Sequence, residues 1–184
     1  LGGPTRDRIR CYGQAESVED TKRLVLAEGF KSMKTSVTTS RGRLSRPSEN
    51  PYYIDGLVEK VKAIRELVGP DFGFEMHGDH EPPAAMQIIH ALEGFRPWFF
   101  EEPIQHQNLP LMAEMARKTT VPFATGERLV TKWQFRDLLQ QGAAQLLQPD
   151  ITHVGGITEM RAVAALAEAF YADMLPHAKE GIVG

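Results

Sequence analysis

Cysteine is nearly absent from this sequence of 184 residues, in which Cys11 is the single example. A lone thiol excludes a disulfide within the chain and favours a reducing compartment, so we expect a cytoplasmic protein. Long apolar runs are also missing, because no stretch reaches the ~20 residues that a membrane-spanning helix requires. The formal net charge is only −3, so neither a nucleic acid nor a membrane is an expected partner. An anionic substrate would need a metal or local positive charge.

Both ends of the sequence lack the features of a natural terminus. The chain begins with Leu1 rather than methionine, and its first residues do not have the charged and then apolar order of a signal peptide. It ends at Gly184, on residues typical of a loop. We therefore expect a fragment of a longer protein in which residues 1–184 belong to one catalytic domain.

Short segments rich in β-branched and aromatic residues alternate with longer amphipathic segments along the chain. The predicted strands cover residues 8–12, 32–35, 72–77, 98–102, 123–126, 146–149 and 172–176. The predicted helices cover residues 18–28, 54–68, 83–93, 109–118, 132–141 and 157–170. Alternation at this short period predicts parallel strands joined by right-handed crossovers.

This pattern favours an α/β fold of the (β/α) TIM-barrel type over an open sheet, since nothing indicates a change in strand direction. A complete barrel has eight strands, so the seven predicted strands describe a partial barrel of about seven βα units. Residues 36–53 form the one long irregular segment and are rich in Ser, Thr, Arg and Pro. They are either a loop over the catalytic face or a disordered surface insertion.

Three glutamates recur where consecutive predicted strands end. Glu75, Glu101 and Glu127 follow one another at intervals of 26 residues. Barrel enzymes place their chemistry at the carboxyl ends of the strands, so these side chains should converge on one mouth. Their charges would repel one another unless a cation lies between them, and Mg²⁺ prefers oxygen ligands of this kind. The alternative is three separate salt bridges. Glu102 is a second candidate ligand, placed behind Glu101 because side chains alternate along a strand.

Asp150 and His177 end the last two predicted strands and should lie side by side at the same depth. A carboxylate that holds one imidazole nitrogen leaves the other nitrogen to take a proton, so the pair predicts a general base. His77 lies across the mouth and would be the acid that protonates a departing hydroxyl. The predicted chemistry is removal of a proton next to a carboxylate, followed by β-elimination of water. A purely structural histidine is the alternative.

These positions resemble those of a known family. The sequence is similar to the mandelate-racemase subgroup of the enolase superfamily and, within it, to the D-galactonate dehydratases and related acid-sugar dehydratases. The likeness covers essentially the whole chain. The motifs that carry it are Glu75-Met76-His77-Gly78, Phe100-Glu101-Glu102-Pro103, Thr125-Gly126-Glu127-Arg128, Gln148-Pro149-Asp150, Gly155-Gly156-Ile157-Thr158-Glu159 and Pro176-His177.

The resemblance implies Mg²⁺ ligands at Glu101 and Glu127, a base formed by Asp150 and His177, and an acid at His77. It also implies an N-terminal capping domain and an eighth strand outside this sequence. Substrate contacts in the family come in part from those regions.

Three positions depart from the family pattern. Glu75 stands where the family usually has Asp as its first metal ligand. Ser36 stands where racemases carry the second lysine of a Lys-X-Lys motif, of which only Lys34 is present. Asp79 stands where many galactonate dehydratases have Arg. The missing lysine argues against racemisation by two bases.

The sequence therefore predicts a Mg²⁺-dependent hydro-lyase that converts a galactonate-like aldonate to its 2-keto-3-deoxy acid. The expected partner is a small sugar acid, and we expect a homo-oligomer. One alternative is a racemase or epimerase of α-hydroxy acids on the same metal site. The other is a barrel that has lost catalysis.

Overall fold

The computed structural model describes residue 3 and residues 5–37, 52–78 and 81–178. Seven strands and six α-helices alternate along these residues. The strands are β1 (Gly13–Gln14), β2 (Ser32–Ser36), β3 (Gly73–His77), β4 (Phe100–Glu101), β5 (Phe123–Thr125), β6 (Leu146–Leu147) and β7 (Asp173–Met174). The helices are α1 (Val18–Lys22), α2 (Tyr53–Val68), α3 (Pro82–Leu92), α4 (Leu109–Ala116), α5 (Lys132–Gln141) and α6 (Gly156–Ala169).

The strands form one parallel sheet whose spatial order is the chain order, β1 to β7. Because every strand runs in the same direction, all seven carboxyl ends lie at the same edge of the curled sheet. The register sets neighbouring side chains at equal depth: Lys34 pairs with Glu75 between β2 and β3, and His77 pairs with Glu101 between β3 and β4. The topology agrees with the predicted partial (β/α) barrel.

Aromatic side chains on the central strands form the middle of the core. Phe74, Phe100 and Phe123 lie on β3, β4 and β5, and all three are fully buried. Burial of one such ring contributes on the order of 1.5–3 kcal/mol to the free energy of unfolding. The stripe of Leu57, Val61 and Ile64 on α2 is buried as its helical spacing predicts. This packing holds the central strand ends in place.

Capping residues explain where α5 begins and ends. Thr131 and Gln134 form a reciprocal capping box at the start of α5. The same helix ends at Gly142, whose φ of 66° lies in the left-handed region that glycine adopts without strain. The bounds of α5 match the predicted bounds.

No helix among the described residues is both long and apolar enough to cross a bilayer.

Two predicted elements differ from the structure in position or type, and most of the others differ by a few residues at their ends. The strand predicted at 8–12 is wrong, because β1 is Gly13–Gln14. It forms where Gly13 pairs with Met33, and a Cβ at Gly13 would lie only 2.3 Å from Leu24 Cδ1, so a larger residue there would require the Leu24 side chain to move. The helix predicted at 18–28 changes from α to π hydrogen bonding at Arg23. Most of the predicted irregular segment, residues 38–51, lies outside the described residues.

Candidate active site

The carboxyl ends of the strands surround a cavity of about 370 Å³. The lining comes from both edges of the sheet and from its centre, so the curled sheet brings distant parts of the chain to one mouth. Its walls are formed by Tyr12, Gln14, Glu16, Lys34, Ser36, His77, Glu127, His177 and Ala178. Three of the residues predicted to be functional, His77, Glu127 and His177, thus face the same space.

Glu101 is a fully buried carboxylate at the end of β4. Lys34 Nζ donates to its Oε1 over 2.8 Å, and His77 Nδ1 lies 3.0 Å from the same oxygen. Gln148 Nε2 donates to Oε2 over 3.0 Å. Burial by itself would raise the pKa of Glu101, but the hydrogen bond from His77 and the charge of Lys34 outweigh it and lower the pKa to about 2. Glu101 is therefore an anion held by three neighbours.

Glu75 is buried too, with 1% of its surface exposed, but it has the opposite environment. While it is ionised, neither carboxylate oxygen meets a hydrogen-bond donor among the described residues. Burial, followed by the negative charge of Glu101, raises the pKa of Glu75 to about 9. The charge of Lys34 opposes this rise only in part. A buried carboxylate with no donor is costly unless it is protonated or meets a cation.

Glu127 lies in the turn that follows β5 and is partly exposed to the cavity. Its Oε2 lies 3.4 Å from His177 Nε2, and its Oε1 lies 3.8 Å from Arg128 Nε. The carboxylate therefore faces the imidazole that was expected to act as the base.

The Tyr12 side chain lines the same cavity as Glu127. Burial raises its pKa well above the usual value, and the negative charges of Glu75, Glu101 and Glu127 each add to the rise. All three predicted ligands therefore act electrostatically on one hydroxyl group. They do not form a closed ligand set, however: within the described part of the chain, no three His, Cys, Asp or Glu side chains are arranged to hold a metal ion.

Asp150 and His177 form a hydrogen-bonded pair. His177 Nδ1 lies 2.8 Å from Asp150 Oδ2, and the His177 backbone N–H donates to Pro149 O over 3.1 Å. The Thr152 backbone N–H donates to the other Asp150 oxygen over 2.8 Å. Burial would raise the pKa of Asp150, but the hydrogen bonds from Thr152 and His177 outweigh it and lower the pKa to about 2. The ionised aspartate orients the imidazole so that Nε2 faces the cavity.

Sequence reasoning missed several neighbours of the predicted site residues. Lys34 was considered only for its missing lysine partner, yet it forms an ion pair with Glu101. Gln148 was named only as part of the Gln148-Pro149-Asp150 motif, and Tyr12 was given no functional role. Strand alternation could have found Gln148, which lies two residues before Asp150, but Tyr12 lay inside the misplaced first strand. Asp79 lies outside the described residues.

This chain is similar in sequence to known proteins. Residues 16–184 match the family described as enolase C-terminal domain-like. The chain belongs to that family. A D-galactonate dehydratase of Variovorax paradoxus (strain S110) is 36% identical over 191 residues, which cover 100% of this chain and 49% of that protein. The chain thus spans about half the length of the curated relatives it matches.

The chain is also similar in fold to solved structures. An enolase from Agrobacterium radiobacter with bound Na and L-malate has a TM-score of 0.86 and 32% identity, over 99% of this chain and 48% of that one. A mandelate racemase/muconate lactonizing protein from Paracoccus denitrificans PD1222, complexed with magnesium, has a TM-score of 0.82 and 32% identity, over 96% of this chain and 49% of that one. The predicted family and the partial TIM-type barrel are confirmed.

Proposed function

We propose that this chain is the catalytic barrel domain of an acid-sugar dehydratase, which converts a galactonate-like aldonate to its 2-keto-3-deoxy acid. The observation that carries the proposal is the Asp150–His177 pair, in which the imidazole not only contacts Asp150 but also lines the same cavity as His77. Elimination of water needs one group to take a proton and another to give one, and the cavity offers an imidazole for each role.

His177 is the proposed base. Its Nδ1 is held by Asp150, so Nε2 is the nitrogen that can take the proton bonded to the carbon next to the substrate carboxylate. A proton taken up at Nε2 lies beside the carboxylate of Glu127, 3.4 Å away in the structure. The positive charge formed on the imidazole is thus attracted to a neighbouring negative charge.

His77 is the proposed acid. Its Nδ1 is held by Glu101 at 3.0 Å, which leaves Nε2 to face the substrate. The carbon–oxygen bond at the β position breaks, and the hydroxyl leaves as water with the proton from His77. The electron pair of the broken C–H bond becomes the new double bond, and the resulting enol rearranges to the 2-keto acid.

We propose that carboxylates at the mouth bind Mg²⁺, a hard divalent cation, although no three of them are gathered into a ligand set among the described residues. The supporting observation is the buried carboxylate of Glu75, which has no donor among the described residues and lies beside the anionic Glu101. Glu75, Glu101 and Glu127 would hold the ion. When bound, it supplies positive charge that holds the substrate carboxylate and offsets the negative charge that grows as the α-proton leaves.

Replacing His177 with Asn tests the assignment of the base. The purified full-length protein should lose α-proton exchange in D₂O and formation of the 2-keto product from galactonate-like acids, but it should keep its affinity for Mg²⁺. His90→Asn is the matched control, because His90 is half exposed and its Nδ1 lies 3.7 Å from Glu93 outside the cavity. Full activity in His177→Asn would contradict the assignment.

The same assay separates the alternatives. Exchange of the α-proton with inversion and without loss of water would indicate a racemase or epimerase. No exchange with any acid in a sugar-acid library, together with no binding of Mg²⁺, would indicate a barrel that has lost catalysis. Assembly into a homo-oligomer and a cytoplasmic location stay predictions from the sequence.

A further inference from the structure

Glu102 is a second buried carboxylate at the end of β4, and the proposed chemistry does not use it. Its side chain is fully buried. Its φ of 47° lies in the left-handed region, which is uncommon for a residue with a side chain. This backbone conformation turns the chain directly after Glu101. The two adjacent glutamates consequently have separate sets of neighbours.

Among the described residues, the partners of the Glu102 carboxylate are the last residue of β5 and residues of the following turn, which carries Glu127. The Thr125 hydroxyl and the Gly126 backbone N–H both donate to Glu102 Oε1, the latter over 3.2 Å. Arg128 Nη2 lies 3.2 Å from Glu102 Oε2. One carboxylate therefore holds the two residues before Glu127 and the residue after it.

Packing against Phe135 and a contact with His153 also restrain the turn. Gly126 has a φ of 136°, and a Cβ there would lie 2.7 Å from the Phe135 ring. The Glu127 carbonyl oxygen is 3.0 Å from His153 Nδ1. With the backbone held on both sides, the Glu127 side chain extends into the cavity towards His177.

We propose that Glu102 is a positioning residue that fixes the 125–128 turn so that the Glu127 carboxylate faces the cation and the base. This inference rests on the proposed function, because it needs a cation at the mouth. Partners that orient a metal ligand commonly matter for affinity, and their loss weakens metal binding by about 10–100-fold.

The test is a double-mutant cycle read by calorimetric titration of the purified full-length protein with Mg²⁺. Glu102→Gln keeps the shape but loses the charge that pairs with Arg128, and should weaken Mg²⁺ binding by about tenfold or more. Glu127→Gln should also weaken binding. The double variant should bind no more weakly than Glu127→Gln, because Glu102 acts through Glu127.

Glu93→Gln is the matched control. Glu93 also accepts hydrogen bonds from a loop next to β5, but at the opposite end of the strand, where the Thr120 backbone N–H donates over 2.7 Å and Thr119 Oγ1 over 3.2 Å. This variant should leave Mg²⁺ affinity unchanged. Thr125→Val removes one donor to Glu102, should weaken binding in the same direction, and carries the test if Glu102→Gln does not fold.

The possible failures are distinguishable. Normal Mg²⁺ binding by Glu102→Gln would overturn the inference alone, as would losses that add up fully in the double variant. Unchanged binding by Thr125→Val would overturn it where Glu102→Gln does not fold. A wild-type protein that does not bind Mg²⁺ would overturn the proposed function, and the inference with it.

Discussion

Replacement of Glu75 by Gln should stabilise the protein when no divalent cation is present. Burial and Glu101 raise the pKa of Glu75 from 4.5 to about 9, so between these values the folded state binds a proton that the unfolded state has released. The contribution of Glu75 to stability is therefore greatest below pH 4.5 and falls as pH rises towards 9, by about 1.4 kcal/mol per pH unit. At pH 7 the cost reaches about 3 kcal/mol. Glutamine does not ionise and avoids this cost.

The assay is thermal unfolding of the full-length protein from pH 5 to pH 8, with and without Mg²⁺. Without Mg²⁺, Glu75→Gln should match the wild type near pH 5 and have a melting temperature several degrees higher at pH 8. Excess Mg²⁺ should then stabilise the wild type and leave the variant almost unchanged, because a ligand stabilises only the state that binds it.

Glu66→Gln, a change at an exposed glutamate of α2, is the control and should follow the wild type throughout. Parallel stability profiles for the wild type and Glu75→Gln, with equal responses to Mg²⁺, would refute the reasoning. Glu75 would then be ionised without cost in the free protein and would not be a ligand.

Two further changes test other parts of the structure. Asp150→Asn should lower kcat by about 10³-fold while Mg²⁺ affinity stays the same, because an amide in place of the carboxylate favours the wrong tautomer of His177; steady-state kinetics would show it, and an unchanged kcat would remove the dyad from the mechanism. Arg65→Met should lower the free energy of unfolding by about 3–5 kcal/mol, since Arg65 donates to carbonyls of residues 69, 72, 95 and 96. Denaturant titration checks this, and a loss below about 1 kcal/mol would contradict it.

Positions at the ends of neighbouring strands could be predicted well, whereas a contact that skips a strand could not. Asp150 and His177 were placed together by counting strands, and their 2.8 Å contact agrees. A parallel sheet brings all carboxyl ends to the same edge, so the proximity of Asp150 and His177 can be inferred from the order of the elements alone. The contact of Lys34 with Glu101 crosses from β2 to β4. It depends on sheet curvature and side-chain length, which no periodic pattern contains.

The misplaced first strand has a related cause. Residues 8–12 have a strand-like composition, but a strand is defined by the partner that it pairs with. Pairing begins at Gly13, which pairs with Met33 of β2 and packs closely against Leu24. The position of β1 is therefore set by its pairing with β2, whereas the composition of residues 8–12 had predicted the strand earlier in the chain.

The amino-acid sequence alone determined the alternation of strands and helices, the family, and the strand ends that carry glutamates and histidines. These properties follow from local spacing, which side-chain chemistry sets residue by residue. The tertiary structure alone decided that Glu101 is a paired anion, that Glu75 lacks a donor among the described residues, and that Glu102 holds the turn of Glu127. These differences among identical side chains arise from burial and neighbouring charge, which exist only once the strands are side by side.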